Sequence, residues 1–166
     1  AFYDMLKAYH QQPQFEHGYA KTTTFLAFLN AYTGQDFTEF MNDWIYGEGY
    51  PTYTIRWNQS EDNSNLVFKA AQTQSHNSVN YFEMPLPIKV TGTSGQIAYF
   101  TLDNTLNNQT FNEVVNFKVA SVSFNYERQI LTKNASVIKD SNLSVNDKQL
   151  EAINVYPNPV KSQFLI

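Results

Sequence analysis

The stretch that decides the fold is residues 36–57, DFTEFMNDWIYGEGYPTYTIRW. Up to Ile45 its apolar residues, Phe37, Phe40, Met41, Trp44 and Ile45, recur at the spacing of one helical face. From Pro51 the period becomes two, with Tyr53, Ile55 and Trp57 alternating against Thr52, Thr54 and Arg56 as in a half-buried strand. Gly47, Gly49 and Pro51 stand between the two patterns. Asp36 with Glu39 three positions on has the form of a capping box. This reading makes 36–57 a joint between a helical segment and a β-domain. Both glycines are expected to supply positive φ there, and Pro51 to hold Tyr50 extended. Trp44 and Tyr50 are placed to fasten the two parts together.

Before the joint, two further helices are expected. Phe2, Met5, Leu6 and Tyr9 share a face, and Pro13 ends that helix. Phe25, Phe28, Leu29 and Tyr32 form the stripe of a second, with Thr22 or Thr23 as its cap and Gly34 as its stop. Three aromatic-striped helices in so short a segment cannot bury their faces against one another alone. They read as the end of a larger helical domain, and hence the chain as a piece of a longer protein.

After the joint nearly everything is strand-like. Leu66, Phe68 and Ala70 alternate, and so do Phe82, Met84, Leu86, Ile88 and Val90. Pro85 and Pro87 place the start of that strand at a sheet edge or bulge. Gly92–Gly95 marks a hairpin turn, and further strands are expected at 96–102, 110–115, 117–125 and 129–133. About seven short strands at this spacing predict an antiparallel immunoglobulin-like β-sandwich. The fold class is therefore α+β: a short N-terminal helical segment, 1–49, and a β-sandwich, 50–133. A polar linker is expected at 134–151, and a new apolar pattern opens at 152–166.

The composition excludes several functions. A net charge of -4 with scattered Lys and Arg offers no basic face for nucleic acid or an acidic membrane. There are no cysteines, so disulfides, thiolate metal sites and a cysteine nucleophile are absent. No apolar run is long enough to span a membrane. The three histidines, His10, His17 and His76, never pair at the i, i+4 spacing of a helical zinc site. His10, Glu16 and His17 read as solvated loop residues. Glu39, Asp43 and Glu48 invite comparison with a paired-carboxylate site, but Glu39 is explained as a cap and Asp43 by the polar face opposite Trp44. Trp44 and Trp57 lie on apolar faces and read as core, not as a sugar-stacking platform. The sequons at Asn58, Asn108 and Asn134 mark surface loops. No catalytic, cofactor-binding or metal-binding residue is assigned.

From Phe2 to about Lys133 the chain resembles the C-terminal part of the aminopeptidase-N-type zinc metallopeptidases, the H-E-x-x-H gluzincins. Three ordered pieces carry the resemblance: TTTFLAFLNAYTGQDFTEFMNDWIYGEGYPTYTIRW, then QTQSHNSVNYFEMPLPIKV, then FKVASVSFNYERQILTK. The last departs from the family at Asn125-Tyr126, where Asp-Pro often stands. The resemblance implies a parent enzyme that removes N-terminal residues from peptides, using a zinc-bound water with a glutamate as base. Those catalytic parts have no counterpart in these residues, so the chain itself is expected to be an inactive scaffold with no cofactor. Its partners would be the remainder of its own catalytic domain and, through the parent, a peptide substrate.

The segment VYPNPVKSQFLI, with Tyr156, Pro157, Asn158 and Pro159, resembles the opening of the C-terminal sorting domain of type IX-secreted proteins of Bacteroidetes. It implies a secreted or cell-surface protein that passes through the periplasm and meets the secretion machinery through its complete tail. The rival reading is a non-enzymatic β-sandwich module at the cell surface that presents loops to a glycan or protein ligand.

Overall fold

The computed structural model describes residues 2–13 and 18–144. Helices α1 (Phe2–His10), α2 (Thr22–Thr33) and α3 (Thr38–Met41) come first, and α3 runs directly into a π-helical turn, Asn42–Tyr46. Seven strands follow among the described residues: β1 (Pro51–Gln59), β2 (Asn65–Gln74), β3 (Met84–Gly92), β4 (Ile97–Asn104), β5 (Gln109–Val114), β6 (Val119–Phe124) and β7 (Ser136–Lys139). They form a four-stranded sheet, β5-β2-β1-β7, and a three-stranded sheet, β4-β3-β6. The fold is α+β, a β-sandwich with an N-terminal helical segment.

The alternation read at Tyr53, Ile55 and Trp57 turns these side chains into the sandwich, where each is at most 5% exposed. Leu66, Phe68 and Ala70 join them from β2, and Leu86, Ile88, Val90 and Leu102 face them from the other sheet. Aromatic rings bridge the two layers, Tyr53 against Phe124 at 5.2 Å and Phe68 against Phe100 at 6.2 Å. Each fully buried side chain of this core contributes about 1.5–3 kcal/mol. The prolines of β3 fit because the strand pairs with β6 only from Ile88 onward. The Pro87 carbonyl points to that side, accepting the Asn125 N–H at 3.0 Å, so the missing proline N–H removes no ladder bond with β4.

Several expectations change. Helix α2 is preceded by Lys21, and its cap is made by Thr24, whose hydroxyl donates to the Lys21 carbonyl and accepts its N–H, rather than by Thr22 or Thr23. Gly34 does end α2, in the left-handed region at φ 71°. The Asp36–Glu39 box does not close; Asp36 instead accepts the N–H and hydroxyl of Thr38. No strand forms at 129–133. Asn125 and Arg128 take positive φ, and the Asn125 amide holds both the N–H and the carbonyl of Ile130, doing a neighbouring strand's work with one side chain.

The polar region expected to be linker from 134 contains β7. It lies parallel to β1, pairing Thr54 with Ser136 through Trp57 with Lys139, so the sandwich is not purely antiparallel. Beyond it the chain stays tied down: the Asp140 N–H reaches the Trp57 carbonyl, and Asn58 donates to the Leu143 carbonyl. The Tyr156–Pro159 motif and the segment 152–166 lie outside the described residues, as do Glu16 and His17.

The candidate site: a helix-to-sandwich joint

The π-turn sets the geometry of the joint. One residue more per turn re-phases the helix, so Asp43, expected on the polar face, is instead only 6% exposed. Its Oδ2 accepts the Glu83 N–H at 3.2 Å, while Nε1 of Trp44 donates to the Glu83 carbonyl at 3.4 Å. Two consecutive residues therefore grip both backbone groups of one residue, Glu83, just before β3. The Trp44 ring packs on Phe82 at 4.9 Å between centroids and stacks on Phe40 at 6.4 Å. Ile45 does not share this burial; it is 56% exposed.

Residues after the turn are held one by one to the β2–β3 loop. The Ser78 hydroxyl accepts the Glu48 N–H at 2.8 Å and donates to the Glu48 carbonyl. Ser75 makes the same double contact with Tyr50, its hydroxyl accepting one N–H and its own N–H reaching the Tyr50 carbonyl. Pro51 is fully buried, and its carbonyl accepts the Thr132 hydroxyl at 2.9 Å. Gln72, 4% exposed, closes the far end of the loop by binding the N–H and carbonyl of Phe82.

The two glycines serve different needs. Gly49 has φ 97°, the left-handed region expected of it. Gly47 does not: its φ is -74° with ψ 164°, ordinary extended backbone. It must be glycine because an added Cβ would sit 2.3 Å from Val79 Cγ2 and 2.5 Å from the Asp43 carbonyl oxygen.

Sequence reasoning singled out Trp44, Gly47, Gly49, Tyr50 and Pro51 for the joint and did not single out Ser75, Ser78 or Glu83, which the structure brings against it. Ser75 and Ser78 act through hydroxyls meeting backbone groups and Glu83 through its own backbone groups, contacts that leave no periodic signal.

The joint is acidic. Glu39, Asp43, Tyr81 and Glu83 line a cavity of about 290 Å³. Burial pushes the Asp43 carboxyl up, and Glu39 adds to this against the pull of the Glu83 N–H. Burial likewise raises Glu83, with Glu39, Asp43 and Asp103 contributing. Tyr81, hydrogen-bonded to Asn104, is pushed up to about 12 by burial. Elevated carboxyls suit general-acid work, yet Asp43 commits an oxygen to backbone structure, as a fastener does.

Glu48 meets His76 at 3.6 Å, with both side chains substantially exposed. Among the described residues no three His, Cys, Asp or Glu side chains converge on a point that a metal ion would occupy. Among the described residues the donors do not fit the zinc site of a metallopeptidase. No described helix is long and apolar enough to cross a membrane.

The helices carry a second feature. An apolar groove of about 1030 Å³ runs between α1, α2 and the α3–π segment, lined by Phe2, Met5, Phe25, Leu29, Phe37 and Ile45 among others. Tyr9 forms its firm side, packed edge-on against Phe25 at 5.1 Å. Phe2 is 63% exposed at the rim.

No family model matches the chain, and no curated protein matches it. Among solved structures it is similar to the crystal structure of Legionella pneumophila aminopeptidase A in complex with aspartic acid, with a TM-score of 0.51 over 76% of this chain and 15% identity. The likeness is one of fold. This chain spans 14% of the length of that protein, so the fold corresponds to a part of an aminopeptidase.

Proposed function

We propose that this chain is the C-terminal, non-catalytic portion of an exported zinc metallo-aminopeptidase. Residues 1–49 are the last helices of its catalytic domain and 50–133, completed by β7, its β-sandwich. The observation that carries the proposal is the shared fold with a part of an aminopeptidase, taken with the ordered sequence motifs that resemble that family. The apolar helical groove supports it, since a face of this size on α1 and α2 suits the packing of further helices of the catalytic domain. In this reading the joint at 42–51 is an inter-domain hinge stiffened by the Glu83, Ser78 and Ser75 contacts. The parent hydrolyses N-terminal residues from peptides with zinc held by residues outside this chain. The Tyr156–Pro159 motif opens a sorting domain whose complete form directs type IX export to the surface or medium.

The rival, a non-enzymatic β-sandwich module at the cell surface that presents loops to a glycan or protein ligand, gains no support from the tryptophans. Trp57 is 5% exposed within the core, with the Lys139 ammonium 5.3 Å from its ring centroid, and Trp44 is spent on Phe82. Reading the coding sequence upstream of Ala1 tests the proposal. An H-E-x-x-H helix followed by a distal glutamate is expected there, and its absence from the contiguous reading frame would contradict the peptidase assignment.

A further inference from the structure

The outer face of the β5-β2-β1-β7 sheet carries a polar groove apart from the helix-to-sandwich joint. Antiparallel register sets Arg56 beside Lys69, and Thr54 beside Ala71. Two cavities of about 230 and 330 Å³ lie along these rows and share Ala71 and Asn108. Thr52, Thr54 and Thr73 line one end, and Arg56, Lys69 and Asn142 the other. Both walls are fixed. Asn107 binds the N–H and carbonyl of Gln72, which pins the β4–β5 loop. Asn58 binds the carbonyls of Ser141 and Leu143, and Arg56 Nη1 meets Asp140 Oδ2 at 3.1 Å, which pins the turn after β7.

Within this frame the charges are unequal. Asp140 takes one contact from an Arg56 side chain that is 48% exposed, leaving other guanidinium donors open. Among the described residues, Lys69 meets no carboxylate.

The geometry points to a binding site for an acidic saccharide, a sugar chain bearing carboxylates. Lys69 and Arg56 receive a carboxylate, while the hydroxyls of Thr52 and Thr73 and the amides of Asn108 and Asn142 receive ring hydroxyls. Ala71 keeps the floor low where a sugar ring lies. A peptide adding as an extra strand does not fit, because that mode needs main-chain bonds at a free sheet edge. Here the groove crosses the sheet face, where β1 and β2 have already paired their backbones. The site is independent of the peptidase reading.

Calorimetric titration of the chain with a galacturonate trimer, its methyl-esterified counterpart and a glutamate tripeptide tests this. The trimer is expected to bind, and Lys69→Gln to weaken it about tenfold, the loss of one charged hydrogen bond, with unchanged thermal unfolding. Lys69→Arg restores binding, and the ester binds about tenfold more weakly than the acid. Absence of binding by the native chain overturns the site. So does equal binding by Lys69→Gln or by the ester. A tripeptide that binds as tightly as the trimer overturns the saccharide assignment.

Discussion

Gly47 and Gly49 are two residues apart and fail differently when a methyl is added. At Gly49 an alanine must adopt φ near 97° and also meets the Ser75 hydroxyl at 2.7 Å. Gly49→Ala is expected to cost about 1–2 kcal/mol, as left-handed backbone does for an L-residue. At Gly47 the conformation is free of strain, but the methyl meets a carbonyl oxygen at 2.5 Å that cannot move without unwinding the π-turn. Gly47→Ala is therefore expected to cost about 1–3 kcal/mol, and both losses are measurable by urea unfolding. Asp43 gives a pH signature. Its carboxyl is raised in the folded chain, so the native state binds that proton more tightly than the unfolded state. This contribution to stability is complete below the ordinary aspartate value and is lost as pH rises through the elevated one. Asp43→Asn keeps an oxygen for the Glu83 N–H and removes the charge. It should flatten the fall in stability across that window; an unchanged slope would show that Asp43 does not titrate there.

At the scale of elements, the decisive piece is the run from α3 through the π-turn. Trp44 links this run to the sandwich through Phe82 and the Glu83 carbonyl. Trp44→Ala is expected to cost about 1–3 kcal/mol, less than a fully buried tryptophan because the ring is only partly covered. Limited proteolysis should then cut first between 34 and 50, and unchanged thermal unfolding and cleavage would show that Trp44 does not fasten the helices. The sequence made β1 to β4 legible because each buries one face, and burial writes itself as a period of two. β7 was hidden because it is short and neither side is fully covered: Ser136 and Val137 are half-buried, and Ile138 and Lys139 exposed. The missing strand at 129–133 failed for the opposite reason. Ile130 is buried as a strand residue would be, but Asn125 supplies its backbone partners. Asp43 was misassigned because helical spacing assumes 3.6 residues per turn, and nothing in NDWIY announces a π-turn.

The whole molecule divides into a closed sandwich and an open helical face. The sandwich core is enclosed by its own two sheets, whereas α1, α2 and the π-turn leave Phe2, Tyr32 and Ile45 about half or more in solvent around their groove. That asymmetry, the ordered motifs and the fold shared with a part of an aminopeptidase all suit a scaffold that completes an enzyme whose chemistry lies on other residues. The direct measurement is a paired assay of this chain and the full product of its reading frame, comparing bound zinc and hydrolysis of aminoacyl-nitroanilides. The account predicts that the full product holds zinc and releases nitroaniline until a chelator removes the metal, while residues 1–166 alone do neither. Stoichiometric zinc or turnover in the isolated chain, or a full product with neither, would contradict it.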